Sequence, residues 1–340
     1  MSKNKRNDQA AMEPELASAI DKRDAEQLKA LIAEKPGRAF SIDAHGRTAL
    51  ILAAASGWTL GAQTLAGVSD ADWESAKGTA FHHAVKEAGR RHRGFAISRS
   101  LRALLGSTVE RSGLAEHEAK MFGLEACCEF LIPKESLEKK SREGESPLLF
   151  ACSTLAPLHP ELLLRLIPAL ANAQVINEPG PLGDTPLICA AAGKTSAAKA
   201  SIEALLDAGA DPRMANQEGK TALMAMLREG PCHEGDRSFN RLVEGSDLLA
   251  KHTTSKMSTL AFAALHQRDS RIIFKVLSAL ERASSREVVQ AEIEDVCSRF
   301  LAHPGFSDFP LIARSWREKE DLSRQPSENF GLKSKKNQRL

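Results

Sequence analysis

"GDTPLICAAAGK" (Gly183–Lys194) is the stretch that decides how this 340-residue chain folds. It opens on a glycine turn, supplies a threonine to start a helix, and continues in small apolar residues. The arrangement recurs as "GRTALILAAASG" from Gly46, "GTAFHHAVKEAG" from Gly78, "GESPLLFACSTL" from Gly144 and "GKTALMAMLREG" from Gly219, with a weaker "MSTLAFAALHQ" from Met257. The aligned residues Thr48, Thr79, Ser146, Thr185, Thr221 and Ser258 are separated by 31, 67, 39, 36 and 37 positions. A period in the thirties marks a stacked-repeat array. The double-length gap of 67 leaves room for one degenerate copy, or for a helical insertion within one repeat.

Each copy has a physical reading. A Thr or Ser hydroxyl after glycine accepts a bond from an orphan backbone N–H at a helix start. Pro147 and Pro186 fit the first helical position, where no N–H is needed. Leu187, Ala190 and Ala191 are small enough to let helices approach. About ten residues on, "ASIEALLDAGADP" (Ala200–Pro212) predicts a second helix with Ile202, Leu205 and Leu206 on one face, ended by Gly209. A polar loop such as "RMANQEGK" then leads to the next unit. One helix pair cannot bury its apolar face alone, but stacked pairs can.

On these residues the sequence resembles the ankyrin repeat family, whose first helix reads T-P-L-H-x-A-A and whose second ends L-L-x-x-G-A-D. Thr185-Pro186-Leu187 with Ala190-Ala191 match the first, and Leu205-Leu206 with Gly209-Ala210-Asp211 match the second. The segment Leu16–Pro36 resembles a starting repeat without its capped threonine. The resemblance implies an all-α helix-turn-helix solenoid of about six or seven repeats, some degenerate, with a C-terminal helical cap. The motif histidine survives only at His82; its slot elsewhere holds Ile51, Leu149, Ile188, Met224 and Ala261. In the family that imidazole ties neighbouring loops, so those ties are expected to be lost.

The chain divides accordingly into a disordered N-terminus (1–13), the array (14–282), capping helices (283–319) and a disordered basic tail (320–340). The degenerate repeat or insertion falls at about 90–143, where Phe95–Leu105 is expected to be a second helix and Leu114–Pro133 a poor helix pair. In the cap, Val288, Val289, Ile293, Val296, Phe300 and Leu301 have helical spacing after Ser284 or Ser285.

Composition limits the function. Apolar content of 42% is ample for a core, while 5% aromatics and no tyrosine suit close-packed Ala/Leu helices rather than a base-stacking platform. A net charge of +2 gives no bias towards nucleic acid or membrane. No apolar run approaches the ~20 residues of a membrane span. The N-terminus lacks the apolar core of a secretory signal, so the cytoplasm is expected, with delivery into another cell as an effector left open. None of Cys127, Cys128, Cys152, Cys189, Cys232 and Cys297 forms a CxxC pair or completes a zinc spacing.

Candidate chemistry is sparse. His82-His83 with His92 suggests a metal, but adjacent helical side chains point about 100° apart, and His82 has a structural slot. "GPLGD" (Gly180–Asp184) lacks the Lys and Ser/Thr of a phosphate loop. Cys232-His233 has no orienting carboxylate. No catalytic residue, cofactor or metal is therefore expected.

What remains is recognition. The resemblance implies a concave face made of loop tips and exposed first-helix positions: His45, Lys86, Glu87, Glu145, Thr154, Asn216, Gln217, Glu218, Arg228, Glu229 and His266. It implies a monomeric, non-enzymatic scaffold for one or more partner proteins. The alternative surface is the basic run Arg90, Arg91, Arg93, Arg99 and Arg102, suited to an acidic, phosphorylated or nucleic-acid partner. An enzyme with attached repeats is the remaining class, and the residue left outside the array is short for one.

Overall fold

The repeated hydroxyls cap helices. Thr48, Ser146, Thr185, Thr221 and Ser258 are buried and accept the N–H groups of Ile51, Leu149, Ile188, Met224 and Ala261 at 3.3–3.4 Å. Each bond satisfies a donor that a helix start leaves without an intrahelical partner. The computed structural model describes residues 10–69, 75, 78–105, 111–134, 140–141, 144–229, 232–267, 269–300, 303, 306 and 308–324, apart from the side chains of 93–120, 134 and 320–324.

Sixteen α-helices run through the described residues. The first members of the pairs are α1 (Pro14–Asp21), α3 (Ala49–Ser56), α5 (Ala80–Leu105), α7 (Pro147–Leu155), α9 (Pro186–Ala191), α11 (Ala222–Glu229) and α13 (Thr259–His266). The second members are α2 (Ala25–Glu34), α4 (Thr59–Ala66), α6 (Arg111–Leu131), α8 (Pro160–Leu170), α10 (Ser196–Asp207), α12 (Arg237–Gly245) and α14 (Ser270–Ala283). α15 (Arg286–Phe300) and α16 (Phe309–Arg324) follow. Each odd helix touches the next odd helix, and each even helix the next even one. The result is an all-α solenoid of helix pairs in two rows.

Small residues set the close approach of the first row. Ala53, Ala54, Ala84, Ala151, Ala190 and Ala263 are fully buried between neighbouring helices. The second row is held by larger side chains, with Leu65, Leu124, Leu163, Ile202, Leu242 and Leu277 at 0% exposure. Ile202 and Leu205 are buried as the spacing predicts; Leu206 is half-buried. Gly209 follows the helix with φ +96°, a conformation that suits glycine.

Four expectations change. α5 is one continuous helix, so Phe95–Leu105 is its second half rather than a separate helix. Glu87 pairs with Arg90 and Arg91 across one turn, which supports continuation, and a lone glycine such as Gly94 weakens a helix without ending it. α6 is likewise one helix, not a pair, and α5/α6 sit directly between α3/α4 and α7/α8. At the ends, Met12 N donates to Ile42 O at 2.8 Å, inside the segment expected to be disordered, while residues 1–9 lie outside the described residues. α16 continues to Arg324, beyond the expected onset of the tail at 320; residues 325–340 lie outside the described residues.

In the cap, Val289, Ile293 and Val296 are buried as expected, whereas Val288 is exposed. Val288 precedes the buried face by one position and points away from it. Phe300 is half-buried, and Leu301 lies outside the described residues.

Candidate functional site

The loops between pairs form tight turns that stack on one another. Gly183 and Gly219 have φ of +80° and +72°. A Cβ at either would meet backbone of the next loop, Gln217 N at 2.8 Å and Lys251 O at 2.6 Å. That closeness lets Gln217 N donate to Leu182 O at 3.2 Å and Thr253 N to Glu218 O at 2.7 Å. Asn216 Nδ2 adds a bond to Asp184 Oδ1 at 2.8 Å. The loop ties expected to vanish with the motif histidine are thus made by backbone and amide groups. His82, which keeps the motif, is buried with Nδ1 2.7 Å from Thr79 Oγ1.

The structure gathers part of the expected surface into two clusters. Near one end, His45, Lys86, Glu87 and Arg90 line an open cleft of about 610 Å³, joined by Arg47 and His83. Glu87 accepts two bonds from Arg90, at 2.8 and 2.6 Å, and one from Arg91 at 2.7 Å. Burial tends to raise the Glu87 carboxyl, but the two guanidiniums outweigh it and hold it below the ordinary value. The basic run is therefore partly neutralised from within. The side chains of Arg93, Arg99 and Arg102 lie outside the described residues.

Further along, Arg228 and Lys194 flank Glu229, at 3.5 and 3.6 Å. His266 stacks on Phe262. Desolvation of its ring, then the charge of Arg228, lower its pKa from the ordinary 6.5. Arg228 keeps 56% of its side chain exposed, so it remains available to a partner.

The other expected positions separate. Gln217 and Glu218 are exposed at a loop tip, with His252 Nε2 3.6 Å from Glu218. Asn216 is instead 8% exposed. Its Oδ1 accepts from Glu218 N and Lys220 N, so it shapes the loop rather than offering itself outward. Glu145 and Thr154 are half-buried, Glu145 N donating to Ser141 Oγ and Thr154 packing near Gly89. His82 and His83 do not meet His92: His83 Nε2 lies 2.8 Å from Ser75 Oγ, and His92 stacks on His159. Cys232 is buried, which pushes its thiol up to about 12 and leaves no thiolate for a nucleophilic role with His233.

No protein-family model matches the sequence, and no curated protein matches it. Among solved structures, the ankyrin repeat domain of Bcl-3, a member of the IkappaB protein family, aligns with a TM-score of 0.53 and 18% identity. The alignment covers 78% of this chain and 99% of that one. The fold is that of an ankyrin repeat array. An ankyrin repeat domain from Acinetobacter baumannii AYE also aligns, with a TM-score of 0.48 and 20% identity over 68% of this chain and 98% of that one.

The ankyrin arrangement brings in residues that sequence reading passed over. Leu182 sits on a loop tip at 69% exposure, beside Gln217. It lies within "GPLGD", a glycine-rich turn whose sequence does not say which side chain the turn presents. Arg47 joins the first cluster two residues from His45, while Lys194 joins the second through spatial proximity to Glu229, for which the chain order offers no signal.

Proposed function

We propose that the chain is a non-enzymatic scaffold that binds a partner protein through its loop tips and first helices. One observation carries this reading: a frame that repeats is buried, and a surface that does not repeat is exposed. The capping hydroxyls and alanines recur and are inaccessible. His45, Lys86, Gln217, Arg228 and His266 occupy outward positions, and the slot of Arg228, seven residues after the capping hydroxyl, holds Ala55, Lys86, Ser153, Ala192 and Leu265 in the other repeats. The proposed scaffold acts as a monomer in the cytoplasm, on one or more proteins. Among the described residues, no helix is long and apolar enough to cross a membrane.

Arginines often dominate protein interfaces, and Arg228 is the exposed one beside Glu229 and His266. Arg228→Ala is expected to weaken binding by about 1 kcal/mol or more without loss of helical circular dichroism. Arg90→Ala tests the competing basic surface. The measurement is the affinity of both variants for the protein captured by pull-down with the full chain. Normal binding by Arg228→Ala with loss in Arg90→Ala transfers the site to the basic run. Full affinity in both variants removes both surfaces.

A further inference from the structure

Among the described residues, one group of histidine and acidic side chains can converge on an ion: His92, His159 and Glu161, whose ligand atoms lie within 4.8 Å of one another. His92 comes from α5, His159 is the residue before α8, and Glu161 lies in the first turn of α8.

The protons of both imidazoles are already committed. His159 Nε2 lies 2.8 Å from Glu125 Oε1, and Glu125 is itself held by Arg165 Nη2 at 2.6 Å. A carboxylate paired with a guanidinium accepts, so Nε2 carries the hydrogen and Nδ1 the lone pair. His92 Nδ1 bonds the carbonyl of Leu158, which can only accept, so the lone pair of His92 is on Nε2. A histidine that gives one N–H to a carboxylate or carbonyl and keeps the other nitrogen free is arranged as metal-ligating histidines are.

His159 supplies the second observation. It is 5% exposed, and its Nδ1 is buried without a hydrogen-bond partner among the described residues. Glu161 Oε2 stands 3.6 Å from that nitrogen, too far for a good hydrogen bond. Two ligands on one tetrahedral zinc ion, each about 2.0–2.1 Å from it, sit roughly 3.4 Å apart. The separation therefore fits an ion between the two atoms better than it fits a direct bond.

We propose that His92, His159 and Glu161 form a site for a divalent ion of the zinc class, with water completing the tetrahedron. Imidazole favours zinc, copper or nickel over magnesium and calcium. The two rings are stacked, with centroids 4.0 Å apart and planes 9° from parallel. Their in-plane lone pairs meet at one ion only if the stack opens, and His92, half-exposed on its helix, is the ring that has to turn, exchanging its bond to Leu158 O for the ion. A bound ion would join α5 to α8 across a repeat boundary, fastening the long helix to the next pair.

The test uses the full chain stripped with a chelator. Zinc titrated calorimetrically should bind with a stoichiometry near one and raise the melting temperature. Cobalt should give the visible absorption of a tetrahedral site without thiolate charge transfer. His92→Ala and Glu161→Gln should each lower zinc affinity about tenfold or more, since even outer ligand partners typically contribute that much. His233→Ala, an exposed histidine outside both clusters, should leave it unchanged, and circular dichroism should find all three variants folded. Absence of saturable binding, thiolate absorption from cobalt, or unchanged affinity in both His92→Ala and Glu161→Gln would each overturn the proposal.

Discussion

Lys256 stands where the other repeats have glycine, and it holds φ +54°. Its backbone is fixed by N–H donation to His252 O and by Arg299 Nη1 bonding its carbonyl. A side chain in this left-handed region is strained by about 1–3 kcal/mol, partly offset by the smaller entropy loss of lysine relative to glycine. Lys256→Gly is therefore expected to stabilise the chain by about 1 kcal/mol, read as a higher denaturant midpoint. A lower midpoint would mean that the lysine side chain contributes more than its backbone costs. His266 provides a second residue-scale test. Desolvation and Arg228 lower its pKa, and Glu229 opposes them. Removing the guanidinium also frees Glu229, so both changes act in one direction. Arg228→Ala should raise the His266 pKa towards 6.5, followed by NMR of the ring protons. In the parent protein the folded ring binds a proton less readily than an ordinary histidine. Its contribution to stability is therefore present above 6.5 and lost as pH falls through 6.5 towards the lower folded value. The capping hydroxyls were legible because their bonds are local. Asn216 was not, because its exposure depends on Asp184 in another loop.

At the element scale, the sequence made the short regular pairs readable and misjudged α5 and α6. Periodicity reports which face of a helix is apolar, but whether a helix breaks depends on local pairs such as Glu87 with Arg90 and Arg91. The docking of α6 rests on a close backbone approach. A Cβ at Gly123 would lie 2.1 Å from Gly57 O, so α6 touches the α3–α4 turn with no room for a side chain. Thr59 Oγ1 donates to Gly123 O at 3.3 Å at the same place. Gly123→Ala should shift α6 from that turn and cost about 1–3 kcal/mol, the range of overpacking, although alanine is the better helix former. A stability gain would exclude this contact. In α10, Leu205→Asp should destabilise far more than Gln217→Ala. The first buries a charge at a fully inaccessible position, where desolvation is costly. The second removes one exposed bond to Pro181 O. Equal effects on thermal melting would contradict the assigned register of these two repeats.

For the whole molecule, the two helix rows explain what the C-terminal segment does. α15 follows α13 in the first row, α16 follows α14 in the second, and the two pack on each other. The segment thus continues the stack as one more pair, although the sequence there has no glycine-threonine signature. Helical spacing made α15 visible beforehand. Its aromatic seal was not visible, because Phe306, Phe309 and Trp316 become buried only through long-range packing. Polar ties reinforce the seal. Arg299 bonds the carbonyls of Ser255 and Lys256, Lys251 pairs with Glu292 at 3.3 Å, and Trp316 Nε1 donates to Ser278 Oγ. Truncation before Ser284 removes all of these and bares the apolar side of α13 and α14. Each fully buried apolar side chain contributes about 1.5–3 kcal/mol, and a solenoid needs a polar outer face on its last repeat to stay soluble. The truncated chain is therefore expected to melt several degrees lower and to aggregate at concentrations where the full chain does not. Thermal melting with light scattering measures both. Unchanged melting and unchanged light scattering would show that α13 and α14 end the array on their own, leaving α15 and α16 as an appendage rather than its last pair.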